Sequence, residues 1–172
     1  VSAFARAIRL MSESEFLQLE YLFSPDIPEE AYFRILHGKT AVLIGAACKC
    51  AGLLGNATTP QLLAIEAFGQ KIGTAFQIVD DALDFLGDSS ILGKTKYLDL
   101  QEGKVTLPLI LLKNFMTIKE REELDAIYME AQLAKSEIDT VATLVHKYDT
   151  AGITLTHARK MTREASEILH MN

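Results

Sequence analysis

Phe76-Gln77-Ile78-Val79-Asp80-Asp81-Ala82-Leu83-Asp84-Phe85-Leu86 sets three carboxylates inside one of the most apolar stretches of the chain. Four residues advance an α-helix by about 400°, so Asp80 and Asp84 lie one turn apart on nearly one face, with Asp81 about 100° round. The spacing is that of a helix face. An EF-hand loop is excluded, because it needs acids at alternate positions and Gly at the sixth, and Asp80-Asp81-Ala82-Leu83-Asp84-Phe85 has neither. Two readings stand: an acidic turn on a solvated helix surface, or a cation site that relieves the repulsion and the cost of unpaired buried charge. For a cation, oxygen donors without His or Cys favour Mg²⁺ or Ca²⁺. Mg²⁺ typically takes one or two protein carboxylates and leaves its other positions to water and phosphate oxygens.

Outward from this stretch the chain stays helical in pattern. Apolar residues recur at three- and four-residue intervals, and no alternating run bounded by hairpin signals occurs. The expectation is an all-α helical bundle, one domain over 1–172, with helices near 3–22, 28–54, 59–87, 105–115, 118–132, 136–149 and 152–170. Pro28 suits an early helical position, followed by Glu29 and Glu30 at the positive helix end, and Thr59 is the expected N-cap of the acid-bearing helix. The longest break, 87–103, is where a substrate-covering loop is expected. With 172 residues and 49% hydrophobic content, the chain is long enough to bury about 70% of its unfolded surface.

Charge and cysteine usage narrow the function. A formal net charge of -6 argues against a nucleic-acid partner, and no basic run offers itself to an anionic membrane surface. The most apolar segment, 41–55, is interrupted by Lys49 and is shorter than the roughly 20 residues that span a bilayer, so no membrane span is expected. Arg6 and Arg9 are followed by Glu13 and Glu15 rather than by a secretory apolar stretch. Cys48 and Cys50 diverge on a helix and have no other cysteine to pair with, so both read as reduced thiols of a cytoplasmic protein.

Cations follow the acids. Lys94 in Gly93-Lys94-Thr95, Asp99, and Lys104 in Gln101-Glu102-Gly103-Lys104-Val105-Thr106-Leu107-Pro108 lie on a Gly-punctuated segment, and metal with lysine suits diphosphate chemistry. A P-loop is excluded for Gly93-Lys94-Thr95, because the required earlier glycine position holds Asp88 and no strand precedes it. Lys39-Thr40 stands directly ahead of Ala41-Val42-Leu43-Ile44-Gly45-Ala46-Ala47. Its lysine either snorkels to solvent or meets an anion. Phe76 reads as core or as a ring facing a ligand, and Gly45, Ala46, Ala47, Ala51 and Gly52 as close helix packing or as room for a slim chain.

Taken together, Gly38-Lys39-Thr40, the run 69–84 with Phe76-Gln77 and the Asp-rich Asp80-Asp81-Ala82-Leu83-Asp84, Gly87-Asp88, Gly93-Lys94 and the run 99–108 resemble the trans-isoprenyl diphosphate synthases, the polyprenyl synthetase family. Glu15-Phe16-Leu17-Gln18-Leu19 resembles the segment ahead of the family's lysine-threonine motif, although Ser14 stands where Gly is more usual. The resemblance implies the isoprenoid synthase fold, and it implies that Asp80, Asp81 and Asp84 serve Mg²⁺. It also implies that Lys39, Thr40, Gln77 and Lys94 meet the diphosphate of an allylic substrate, with Phe76 and Lys104 at the substrate site.

The reaction so implied joins isopentenyl diphosphate to an allylic diphosphate after ionisation of the latter, in isoprenoid biosynthesis, with no protein base sought among His37, His146, His157 and His170. Family members carry an earlier aspartate-rich motif and an arginine pair on helices that would precede Val1. The expectation is therefore a C-terminal half, inactive by itself, from an enzyme that is a homodimer when complete, with the missing N-terminal half as a partner. Two other readings are a non-catalytic subunit of a heteromeric synthase and a class I terpene cyclase. The intact acids and lysines oppose the first, and Gly103-Lys104-Val105-Thr106-Leu107-Pro108 resembles chain elongators better than cyclases.

Overall fold

Capping side chains set several of the helix boundaries. A computed structural model describes residues 2–87, 96–128 and 132–170, and every regular element among them is helical. The helices are α1 (Ser2–Glu20), α2 (Glu29–Leu36), a π-helical turn (His37–Ala41), α3 (Val42–Leu54), α4 (Thr59–Leu86), α5 (Leu98–Gln101), α6 (Leu107–Leu112), α7 (Ile118–Tyr128), α8 (Lys135–Lys147) and α9 (Thr150–His170).

Differences from the expected boundaries have local causes. Pro28 sits one place before α2 and lends its carbonyl to the Tyr32 N–H at 3.1 Å. Thr58, not Thr59, caps α4: its carbonyl accepts from the Leu62 N–H at 2.9 Å, and Gln61 Oε1 accepts from the Thr58 N–H at 2.9 Å, one arm of a capping box. The single helix expected over 28–54 is three pieces, because the turn at 37–41 carries one residue more than an α-turn. The expected break contains α5, while 88–95 lies outside the described residues.

The chain divides into two compact units. The first comprises Val1–Leu17, Phe33–Gln77 and His157–Asn172. Its core includes Ala7, Val42 and Ala46, with Ala3, Leu10 and Met11 packed on them. Here α3 and α4 approach backbone to backbone, since a Cβ on Gly69 would stand 2.9 Å from Gly45 Cα and one on Gly45 would stand 3.0 Å from the Glu66 carbonyl. Close packing is thus one of the uses of these small residues. Lys49 Nζ meets Glu66 Oε2 at 2.6 Å across the same two helices.

The second unit comprises Gln18–Tyr32 and Ile78–Thr156. All six residues of α6 are buried, and the helix packs against α8. A helix that is apolar all round belongs in the middle of a core. In the same unit Ile78, Phe85, Leu100, Leu124, Val141 and Val145 are at most 2% exposed. Gly103 takes φ +76°, and a Cβ there would stand 2.4 Å from the Phe23 ring, so only glycine fits where the Gly103 carbonyl accepts from the Phe23 N–H at 2.7 Å.

Candidate active site

In the first unit the π-helical turn carries Lys39 and Thr40. It is gripped on two sides: a Cβ on Gly38 would meet Ser14 Cβ at 2.6 Å and the Leu10 carbonyl at 2.8 Å, and a Cβ on Gly73 of α4 would meet Ala41 Cα at 2.7 Å. Backbone contact this close fixes the turn in rotation and in height. Thr40 Oγ1 then donates to Gln77 Oε1 at 3.0 Å, joining two of the expected diphosphate contacts. Lys39 Nζ lies 3.8 Å from Glu15 Oε1, a loose ion pair on a side chain 31% exposed. Phe76 is 64% exposed, which removes the reading of it as a core ring.

In the second unit the acidic turn of α4 separates its three carboxylates. Asp81 is 3% exposed and accepts from the Tyr32 hydroxyl at 2.6 Å. Burial first, then the Asp81 charge, pushes the Tyr32 phenol well above its ordinary value, so the phenol keeps its proton and donates. Asp84 Oδ1 accepts from the Leu98 N–H at 2.9 Å, while the Tyr97 N–H bonds the Asp84 carbonyl at 3.2 Å. Tyr97 holds a left-handed φ of 60° there, its ring centroid 5.8 Å from that of Phe85. Lys104 Nζ contacts Asp99 Oδ1 at 2.9 Å and also pairs with Glu102. Burial opposes the Lys104 charge, but the two carboxylates outweigh it and hold the ammonium above its ordinary range.

These groups fit a hard cation. Asp84 Oδ2 is buried with no hydrogen-bond partner. Burial first, then the Asp99 charge, with a smaller push from Asp80, raises the Asp84 carboxyl to about 6, against the pull of the Leu98 and Asp99 amides. A buried oxygen lacking a donor, among like charges, is what a divalent ion would satisfy. Among the described residues no three His, Cys, Asp or Glu side chains form a cage by themselves, a pattern compatible with an ion that draws most ligands from water and phosphate. Lys94 lies outside the described residues.

The polyprenyl synthetase family profile matches residues 1–145. The chain belongs to that family. It is 43% identical over 106 residues to octaprenyl diphosphate synthase of Escherichia coli K12, a match covering 62% of this chain and 33% of the relative. It is 34% identical over 164 residues to the short chain isoprenyl diphosphate synthase of Methanothermobacter thermautotrophicus, covering 91% and 49%. Among solved structures, the polyprenyl synthase of Caulobacter crescentus, complexed with calcium and isoprenyl diphosphate, superposes with a TM-score of 0.92 at 29% identity, over 99% of this chain and 52% of that one. This polyprenyl synthetase chain therefore has the isoprenoid synthase fold and spans a third to a half of the length of these relatives.

Two of this polyprenyl synthetase's site features had no signal in the sequence. Tyr32 is one of two adjacent aromatics on a short amphipathic helix, and only folding brings it to Asp81, 49 residues on. The π-helical turn is the other, since its extra residue leaves the apolar spacing ambiguous. Asp99 was visible as a further acid. Its influence on Asp84 emerges from α5, a helix the sequence left inside a loop.

Proposed function

We propose that this chain works in trans-prenyl diphosphate synthesis, the condensation of isopentenyl diphosphate with an allylic diphosphate. The reading rests on one observation above the others: the acidic turn of a polyprenyl synthetase keeps a buried, partnerless carboxylate oxygen on Asp84 with Asp80 and Asp99 acting on it. Asp80 and Asp84 would hold Mg²⁺, which when bound supplies positive charge against the charge that gathers on a departing diphosphate. In the first unit Lys39 is assigned to a diphosphate as an ammonium, and the Thr40–Gln77 pair presents oriented amide and hydroxyl dipoles that need no rearrangement during reaction. The exposed Phe76 ring offers a face to the prenyl chain or to an allylic cation. Lys104 is held charged by Asp99 and Glu102 and steadies the acids' loop, while Lys94 is assigned to the diphosphate.

Two further parts of the reading concern activity of the 172 residues by themselves and assembly. The chain spans about half of the Caulobacter synthase, and the 172 residues tested by themselves are expected to bind Mg²⁺ and diphosphate weakly and to elongate nothing. The enzyme is read as a cytoplasmic homodimer. Among the described residues no helix is long and apolar enough to cross a membrane.

The test is a radiolabelled isopentenyl diphosphate condensation assay with Mg²⁺ and a panel of allylic diphosphates. It is run on the 172-residue chain and on a form lengthened upstream to the size of the relatives. Elongation by the longer form alone supports the whole reading. Elongation by neither, with both folded, moves the assignment to a non-catalytic subunit.

A further inference from the structure

Asp81 is the least accessible of the three acids in the turn, 3% exposed, and its Oδ2 is 2.6 Å from the hydroxyl of Tyr32, itself 3% exposed. An ionised carboxylate so deep is unfavourable unless a donor meets it. A hydroxyl-to-carboxylate bond of this length lies in the short, charge-assisted range. The two residues belong to the same unit and are anchored on different helices, Tyr32 on α2 and Asp81 on α4. Side chains on a helix are fixed about 100° apart per residue, so holding Asp81 against α2 sets the rotation of the whole turn. That rotation decides where Asp80, one residue back, and Asp84, three residues on, present their oxygens.

We propose that Asp81 is a positioning residue rather than a metal ligand, and that Tyr32, through its hydroxyl, fixes the direction in which Asp80 and Asp84 face the cation. The division of labour rests on the reading of the turn as a magnesium site. It explains why adjacent acids have different surroundings: Asp81 is spent on an internal bond, whereas Asp84 keeps a buried oxygen for an outside partner. Helix geometry agrees with this separation, since Asp81 lies about 100° round from Asp80 and about 60° from Asp84 and so leaves the turn in another direction.

Three variants of the 172-residue chain separate the roles: Tyr32→Phe, Asp81→Asn and Asp80→Asn. The first readout is Mn²⁺ affinity in the presence of inorganic pyrophosphate, followed by electron paramagnetic resonance. Tyr32→Phe loses only an oxygen and is expected to weaken Mn²⁺ about tenfold, the usual scale for removing a partner behind a ligand. Asp81→Asn keeps an oxygen for Tyr32 to bond and is expected to stay within about threefold of the parent. Asp80→Asn is expected to lose most binding. Equal losses in Asp81→Asn and Asp80→Asn, or an unchanged Tyr32→Phe, overturn the proposal.

The second readout is amide hydrogen exchange across 78–86, which needs no metal. Tyr32→Phe is expected to raise exchange there about tenfold with α8 unaffected, while Asp81→Asn leaves it near the parent rate. If the parent itself binds no Mn²⁺, the magnesium reading fails, and the exchange arm still decides whether Tyr32 holds the turn: parental rates in Tyr32→Phe overturn that as well.

Discussion

The turn that carries Lys39 and Thr40 and the turn that carries Asp80, Asp81 and Asp84 are held by opposite means. The first is located by what is missing: glycines at 38 and 73 let backbones meet within distances no Cβ tolerates. The second is located by what is present, a buried hydroxyl on Asp81 and a backbone amide on Asp84. Steric location leaves a neutral pair at its end, Thr40 with Gln77. Polar location leaves like charges close together and one oxygen without a donor. The first arrangement suits the fixed recognition of an anion's oxygens, and the second suits an ion that arrives with its substrate. The first should break when an atom is added, the second when one is removed.

The largest effect is expected at Asp80. Asp80→Ala removes a charged oxygen donor and should lower Mg²⁺-dependent pyrophosphate binding at least about a hundredfold, beyond the usual cost of losing a supporting group. Calorimetric titration of pyrophosphate with and without Mg²⁺ measures it. Unchanged Mg²⁺-dependent binding would place the metal elsewhere and end the contrast between the two turns.

Adding one methyl tests the other side. Gly73→Ala puts a Cβ 2.7 Å from Ala41 Cα, a backbone atom that cannot rotate away. The overpacking should destabilise by about 1–3 kcal/mol, in spite of alanine's higher helix propensity, and should weaken the Thr40–Gln77 contact. Urea denaturation gives the first quantity, and the Thr40 hydroxyl environment in NMR reports the second. Gly55→Ala is the matched control. Its Cβ would find nothing nearer than 3.6 Å, and φ is -84°, so the change should stay within about 0.5 kcal/mol. A Gly73→Ala variant as stable as Gly55→Ala would mean the turn is not sterically held.

Much of this contrast was legible before folding, and unequally so. Three acids at helical spacing announce a charged face, because the period is fixed by backbone geometry alone. The start of α4 was legible to within a residue, although Thr58 displaced Thr59 as cap once Gln61 supplied an acceptor three residues on. The π-helical turn was not legible. It depends on Gly38 meeting Ser14, a contact between residues 24 apart in sequence that no local pattern encodes. Asp81 shows the same limit more sharply: its type suggested a ligand beside Asp80, and only the approach of α2 turned it into a partner for Tyr32.

The smallest expected effect lies where a carboxylate of the second unit is held at the solvent-facing rim instead of in the core. Glu120 Oε2 accepts from the Thr117 N–H at 2.8 Å, its own N–H donates to Thr117 Oγ1 at 3.3 Å, and Lys147 and Tyr148 bond its two oxygens at 2.6 and 2.8 Å. The Lys147 hydrogen bond first, then those of Thr117, lower the Glu120 carboxyl to about 2 from an ordinary 4.5. A carboxyl lowered on folding adds stability that is fully present above its unfolded value and is lost as pH falls through the folded one. Glu120→Gln should therefore melt slightly below the parent at pH 7, with the gap closing between about pH 4.5 and about pH 2. Lys147 is over half exposed, so salt should narrow the gap at neutral pH as well. Thermal melts of the two proteins across that range measure both trends. A gap independent of pH and of salt would mean that Glu120 acts through its capping geometry, which glutamine preserves in part, and that fixed charge at the rim contributes nothing comparable to the buried Tyr32–Asp81 bond.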